Sequence, residues 1–188
     1  MKILVLIAGL LASNLAFAQT SQQPASGSLN YNYLELRFVD VDTAGGNGLR
    51  FGGSYDFGNN WLLVGGVTSV DFNDNVDGTW YEIGPAYVWH YNNDFDFIAS
   101  VRYVTLDIHD VGFSFDDNGI AFSAGTRGLL TPQFEIRGSV NHTTAGDSDT
   151  FLEFAGDYHF NRQFAAGLSL EFAGDNDMIT IGGRWFFK

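Results

Sequence analysis

The residues that could do chemistry in this chain are its acids, arginines and histidines, and they fall into three sets. The sequence holds 22 Asp and Glu against 9 Lys and Arg, a formal charge of −13. So acidic a chain lacks the basic face that a nucleic-acid binder needs for phosphates. With 0 cysteines, disulfides, thiolate metal sites and cysteine nucleophiles are all excluded. The first set is the 4 histidines, His90, His109, His142 and His159. His109 lies between Asp107 and Asp110, and an Asp–His pair of that kind could activate water. The second set is aspartates: Asp40, Asp42, Asp71, Asp74, Asp77, Asp107, Asp110, Asp116, Asp117, Asp147, Asp149, Asp175 and Asp177, with no Lys or Arg among them. Carboxylates are ligands for Ca²⁺ and Mg²⁺, and such cations could bridge these acids to lipid phosphates. Asp is equally an ordinary solvated turn residue. Asp71, Asn73 and Asn75 precede Glu82 with calcium-loop spacing, but Val76 stands where the sharp turn needs glycine. We therefore assign no catalytic, cofactor or metal residue and no cofactor.

The third set alternates. Glu35, Asp56, Glu82, Asp96, Glu135, Glu153, Asp157 and Glu171 share one phase with Arg37, Arg50, Arg102, Arg127, Arg137 and Arg184. The other phase carries apolar and aromatic residues, as in Leu34, Leu36 and Phe38 against Glu35 and Arg37. In the same way Leu152, Phe154, Tyr158 and Phe160 oppose Glu153, Asp157 and His159. A period of two is the signature of β-strands. It recurs in ten segments from Tyr31 onward, the third placing Leu62, Val64, Val70 and Phe72 on the apolar phase. The 23 Gly, 18 Phe and only 3 Pro suit the same reading.

Short turn sequences such as Gly58-Asn59-Asn60, Asn92-Asn93-Asp94, Thr131-Pro132-Gln133 and Asn161-Arg162-Gln163 alternate with longer Asp-rich connections near 41–47, 72–78, 107–118, 142–149 and 173–177. Short turns at one end and longer loops at the other are the pattern of an outer-membrane barrel. A soluble sandwich also alternates, but its polar face meets water and would carry lysines. Here the polar phase uses arginine alone, which suits a confined interior where the planar fork pairs with carboxylates. Phe57, Trp61, Trp89, Tyr91, Phe95, Phe160, Phe164 and Trp185 gather beside the short turns like an interfacial girdle. The predicted fold is all-β, a ten-stranded antiparallel transmembrane β-barrel, with eight strands as the alternative count.

Ahead of the strands, Lys2, the apolar run Ile3–Leu11 and Ala16-Phe17-Ala18 read as a signal peptide over 1–18, cleaved after Ala18. Residues 19–28 read as a flexible periplasmic leader and 29–188 as the barrel. That signal peptide, Asn30-Tyr31-Asn32-Tyr33, Gly52-Gly53-Ser54-Tyr55 and the ending Arg184-Trp185-Phe186-Phe187 resemble the small OmpA/OmpX-like, porin-family proteins of the bacterial outer membrane, closest to the ten-stranded subgroup without a periplasmic domain. The resemblance implies insertion by the barrel-assembly machinery, which reads a terminal Phe; here Lys188 follows Phe187. His142-Thr143-Thr144-Ala145 also faintly resembles the His-x-Ser motif of barrel lipid A deacylases, with Thr144 in the place of Ser.

A lumen of eight strands is just filled by side chains and one of sixteen is open, so ten strands leave both outcomes open. The expectation is a non-enzymatic barrel with a largely filled, charge-networked lumen, in a structural or surface-interaction role. The alternative is a narrow cation-preferring channel, and a lipid A- or peptide-directed hydrolase is third. Expected partners are outer-membrane lipid and lipopolysaccharide, through divalent cations at the acidic loops, and the assembly machinery, with no nucleic acid and a monomeric state.

Overall fold

The structure, a computed structural model, describes residues 29–42, 45–72, 76–110, 113–146, 148–174 and 177–187. The expected signal peptide 1–18 and leader 19–28 lie outside the described residues, as do Asn73, Asp74, Asn75, Asp147, Asp175 and Lys188.

The alternating segments form β1 (Tyr33–Val41), β2 (Gly46–Gly58), β3 (Trp61–Phe72), β4 (Val76–His90), β5 (Phe95–Asp110), β6 (Phe113–Thr131), β7 (Phe134–Thr143), β8 (Asp149–His159), β9 (Phe164–Phe172) and β10 (Met178–Phe186). Each strand pairs antiparallel with its sequence neighbour, and β1 pairs with β10, which closes the barrel. Closure leaves no strand without a neighbour on both sides. The short turns and both ends of the described chain lie at one end, the turn end, and the other connections lie at the loop end. At the turn end Asn59 and Asn60 both take left-handed φ values, 54° and 69°, as a two-residue hairpin turn requires and as Asn tolerates.

Alternation divides the side chains cleanly. Leu36, Phe51, Ile83, Tyr103, Phe122, Phe154, Leu168 and Ile181 point outward and are exposed, while the charged phase points into the lumen. An outside so apolar suits hydrocarbon. The expected girdle stands outside at the turn end, with Tyr87 packed edge-on against Trp61 at 5.0 Å and Trp89 at 4.7 Å.

Three readings are corrected. β3 has the opposite phase: Leu62, Val64, Val70 and Phe72 face the lumen, and Trp61, Leu63 and Val67 face outward. This strand is apolar on both faces, so alternation alone carries no phase. The turn and the register shift beside it (Asp56/Gly58) set the phase instead. Asp56 is not lumenal; it is exposed at the turn end and accepts a hydrogen bond from the Gly58 N–H at 2.7 Å. The expected loop 107–118 is largely paired strand, with contacts running out to Asp110↔Phe113. β5 and β6, of 16 and 19 residues, thus rise beyond β9 and β10, of 9 residues each. The Gly146 N–H donating to Asp117 Oδ2 at 2.6 Å steadies the base of that hairpin.

The phases yield a direct test. Phe154→Arg and Val67→Arg each place a charge toward lipid and are expected to cost about 2–4 kcal/mol, read by chemical unfolding from lipid vesicles. Unchanged stability for Val67→Arg would return β3 to its sequence-read phase.

Candidate functional site: the layered lumen

The candidate site is the barrel interior, which is stacked in layers. Nearest the turn end, β7 supplies Glu135 and Arg137, β6 supplies Arg127, β8 supplies Asp157 and His159, β1 supplies Glu35 and Arg37, and β10 supplies Arg184. Glu135 is the hub. Arg127 donates to both of its oxygens, each at 2.9 Å, Arg184 donates at 3.0 Å, and His159 Nε2 lies 3.1 Å away. Arg37 and Arg137 hold the two oxygens of Asp157 at 2.9 and 3.1 Å. Glu35 accepts from Arg37 at 3.2 Å and Arg184 at 3.1 Å. Glu135 has 0% of its surface exposed and Arg184 1%, so these charges are compensated by one another rather than by water.

The wall makes room for this layer by omitting side chains. Gly182 sits opposite Arg37 and Gly167 opposite Asp157. A Cβ on Gly182 would lie 2.8 Å from Arg37 Cγ, and one on Gly167 would lie 2.5 Å from Asp157 Oδ1.

Below the network the chain closes the mouth with aromatic rings. Tyr33 lies under Arg184, 4.2 Å from guanidinium carbon to ring centre, and Tyr31 under Arg127 at 4.8 Å. Tyr31 is buried against Leu62, Ala86 and Val88, and its hydroxyl donates to Asp96 Oδ2 at 2.6 Å. The other Asp96 oxygen lies 2.9 Å from His90 Nδ1. Backbone bonds pin the segment: Phe187 N–H donates to the Asn32 carbonyl, and Asp56 N–H to the Asn32 side chain, both at 2.9 Å. Sequence reading took Tyr31 as the opening of a strand. Tyr31 shares the phase of Tyr33, Glu35 and Arg37, which places it toward the lumen, but nothing in the sequence marks it as a stopper.

Above the network the pairs are sparser. Arg50 from β2 donates to Glu171 of β9 at 2.7 Å and to Thr68 at 3.0 Å, and Arg102 lies 3.0 Å from Glu82. A cavity of about 480 Å³ opens here between Arg50, Glu82, Arg102, Glu153 and Glu171 and continues past Arg137 and Arg127 to Tyr31 and Tyr33. Toward the loop end the lining turns apolar, with Val39, Val41 and Val70 buried together against Phe72, Trp80 and Met178. The sequence-read acids and arginines, Asp56 aside, therefore meet in one lumen, as separate clusters rather than one uniform plug.

The remaining candidates stay apart. His142 lies on the outward phase of β7, with Nδ1 2.9 Å from the Thr150 hydroxyl, while the Thr144 hydroxyl is bonded to the Ile120 backbone. The two do not form a nucleophile–base pair. His109 pairs with Ser114 in the β5–β6 hairpin and is exposed. Asp71 opposes Asp77 across β3–β4, and Asp107 opposes Asp116 across β5–β6. Among the described residues no three acids or histidines converge as a metal ion would require.

The hub gives a prediction. Glu135→Ala leaves Arg127 and Arg184 buried without their carboxylate and is expected to cost about 3–5 kcal/mol, read as a lower unfolding midpoint of the refolded barrel. A midpoint equal to the parent's would mean that water solvates this layer.

A family model described as outer membrane protein beta-barrel domain matches residues 3–172. No curated protein sequence matches. Among solved structures, the KdgM porin aligns with a TM-score of 0.52 at 13% identity, covering 83% of this chain and 99% of that one. The KdgM porin in complex with disordered oligogalacturonate aligns at 0.51 and 12%, with the same coverage. The N-terminal β-barrel domain of Pseudomonas aeruginosa OprF aligns at 0.47 and 14%, covering 85% and 100%. At such identities the likeness is one of fold.

Proposed function

Because this chain belongs to the outer-membrane protein β-barrel domain family and resides in the bacterial outer membrane, we propose that it is a non-enzymatic, closed barrel that serves the membrane as a structural and surface-presenting element. Its turn end faces the periplasm and its loop end the exterior, as short turns and longer connections are disposed in such barrels. The observation that carries the reading is the layer around Glu135. Glu135, Arg127 and Arg184 are paired at 2.9–3.0 Å and buried, which fills much of the bore at this level, and Tyr31 and Tyr33 stack on the arginines from the periplasmic side. An ion crossing this layer would have to break pairs that have no water to replace them.

A second reading, a narrow cation-preferring channel, is favoured by the 480 Å³ cavity, whose lining runs from the upper lumen past Arg137 and Arg127 to Tyr31 and Tyr33. A hydrolase draws no support from the His142 motif, since the Thr144 hydroxyl that would stand for the nucleophile is bonded to the Ile120 backbone and not to His142.

Conductance separates the first two. The refolded protein in a planar bilayer is expected to be electrically silent while its folded band shows heat-modifiable migration. Steady single-channel steps with cation preference would overturn the closed barrel and make the lumenal acids selectivity residues.

A further inference from the structure

The upper lumen carries an imbalance that the closed barrel does not use. Glu153 of β8 and Glu171 of β9 are directly opposite each other in the ladder. Like charges so placed repel. Arg50 reaches across to one oxygen of Glu171 at 2.7 Å. The second oxygen, Oε2, has no hydrogen-bond partner although Glu171 is 1% exposed. Glu153 makes no hydrogen bond or ion pair among the described residues, and the remaining cation of this level, Arg102, is taken up by Glu82 at 3.0 Å. One buried acceptor and one neighbouring carboxylate are thus left facing a cavity of about 480 Å³, within the range of small-molecule sites.

The other wall of that cavity is apolar. Val41, Val70, Phe72, Trp80 and Met178 line it toward the loop end. Trp80 is the lumenal tryptophan; Trp61, Trp89 and Trp185 all face outward. A divalent metal held by two carboxylates would keep a shell of waters, which the apolar wall cannot hydrogen-bond, and no third acid or histidine converges there among the described residues. A purely apolar guest would leave Glu171 Oε2 unsatisfied, and an anion would have to sit against two carboxylates to reach the one unpartnered lumenal donor on this level, Arg102 Nε.

We propose that the upper lumen is a binding site for a small organic cation with an apolar body, an ammonium group held between Glu153 and Glu171 and its hydrocarbon part against Phe72 and Trp80. The site is complete above the Glu135 layer, so it stands whether or not the barrel conducts. It supplies the donor that Glu171 lacks and neutralises the opposed pair, and Trp80 adds cation–π attraction.

The test is calorimetric titration of the full folded protein, in discs of zwitterionic lipid, with benzylammonium, benzyl alcohol and benzoate as probes sharing one ring. Benzylammonium is expected to bind saturably, with the alcohol and the benzoate at least about tenfold weaker. Glu153→Gln removes a carboxylate that has no ion pair to lose, so it should keep the heat-modifiable folded band and weaken benzylammonium by about tenfold or more. Absence of saturable benzylammonium binding, equal binding of the three probes, or an affinity unchanged in Glu153→Gln would each overturn the site. The comparison of probes on the parent protein decides the matter even if a variant folds poorly.

Discussion

Glu135 is a carboxylate without solvent contact, and its charge is sustained because two guanidiniums and a histidine ring from three other strands reach it. Arg127 arrives from β6, Arg184 from β10 and His159 from β8. β6 and β8 flank β7 in the ladder, while Arg184 of β10 reaches Glu135 across the lumen and also pairs with Glu35 of β1 across the β1–β10 seam that closes the sheet. Closure and charge pairing therefore depend on each other. An open sheet would strand buried charges, and a lumen without these charges would leave a bore that ten strands make too wide for short side chains to fill. Long, planar arginines answer that geometry, and Arg37, Arg137 and Arg184 each meet more than one acid.

The same constraint explains features that look unrelated. Glycines stand opposite the network's long side chains, at Gly182 and Gly167, where any Cβ would occupy the space of Arg37 or Asp157. Aromatic rings cover the arginines where the barrel meets its turn end, Tyr33 and Phe186 over Arg184 and Tyr31 over Arg127. Toward the loop end the demand relaxes. Charges there are fewer, one oxygen of Glu171 goes unsatisfied, and valines with Phe72, Trp80 and Met178 take over the lining. The lumen is thus rigid and neutralised below, roomier and unevenly charged above.

Much of this was legible in the sequence because alternation is unambiguous wherever one phase is charged. Glu35 with Arg37, Glu135 with Arg137, and Glu153 with Asp157 fixed the facing of β1, β7 and β8, and the girdle at Trp61, Trp89 and Trp185 marked the turn end. Where charge was missing, the pattern carried no phase, and β3 was read inside out. Asp and Asn density made 107–118 read as loop, although Val104, Leu106 and Ile108 continued the alternation into the hairpin. Which acid meets which arginine was beyond reach. Arg37 and Asp157 are 120 residues apart in the chain, and only register around the closed barrel makes them partners. Nor could sequence show that Tyr31 packs into the mouth against Asp96, since that contact spans 65 residues and depends on register around the barrel.

The measurement that bears most directly on a lumen divided at the Glu135 layer is side-specific labelling. The chain contains 0 cysteines, so Ser123→Cys, lining the cavity above the network, is a unique reporter. In oriented proteoliposomes a charged, membrane-impermeant thiol reagent is expected to label it from the extracellular face and to leave it unmodified from the periplasmic face. Labelling at equal rates from both faces would contradict the division and mean that water runs the length of the barrel.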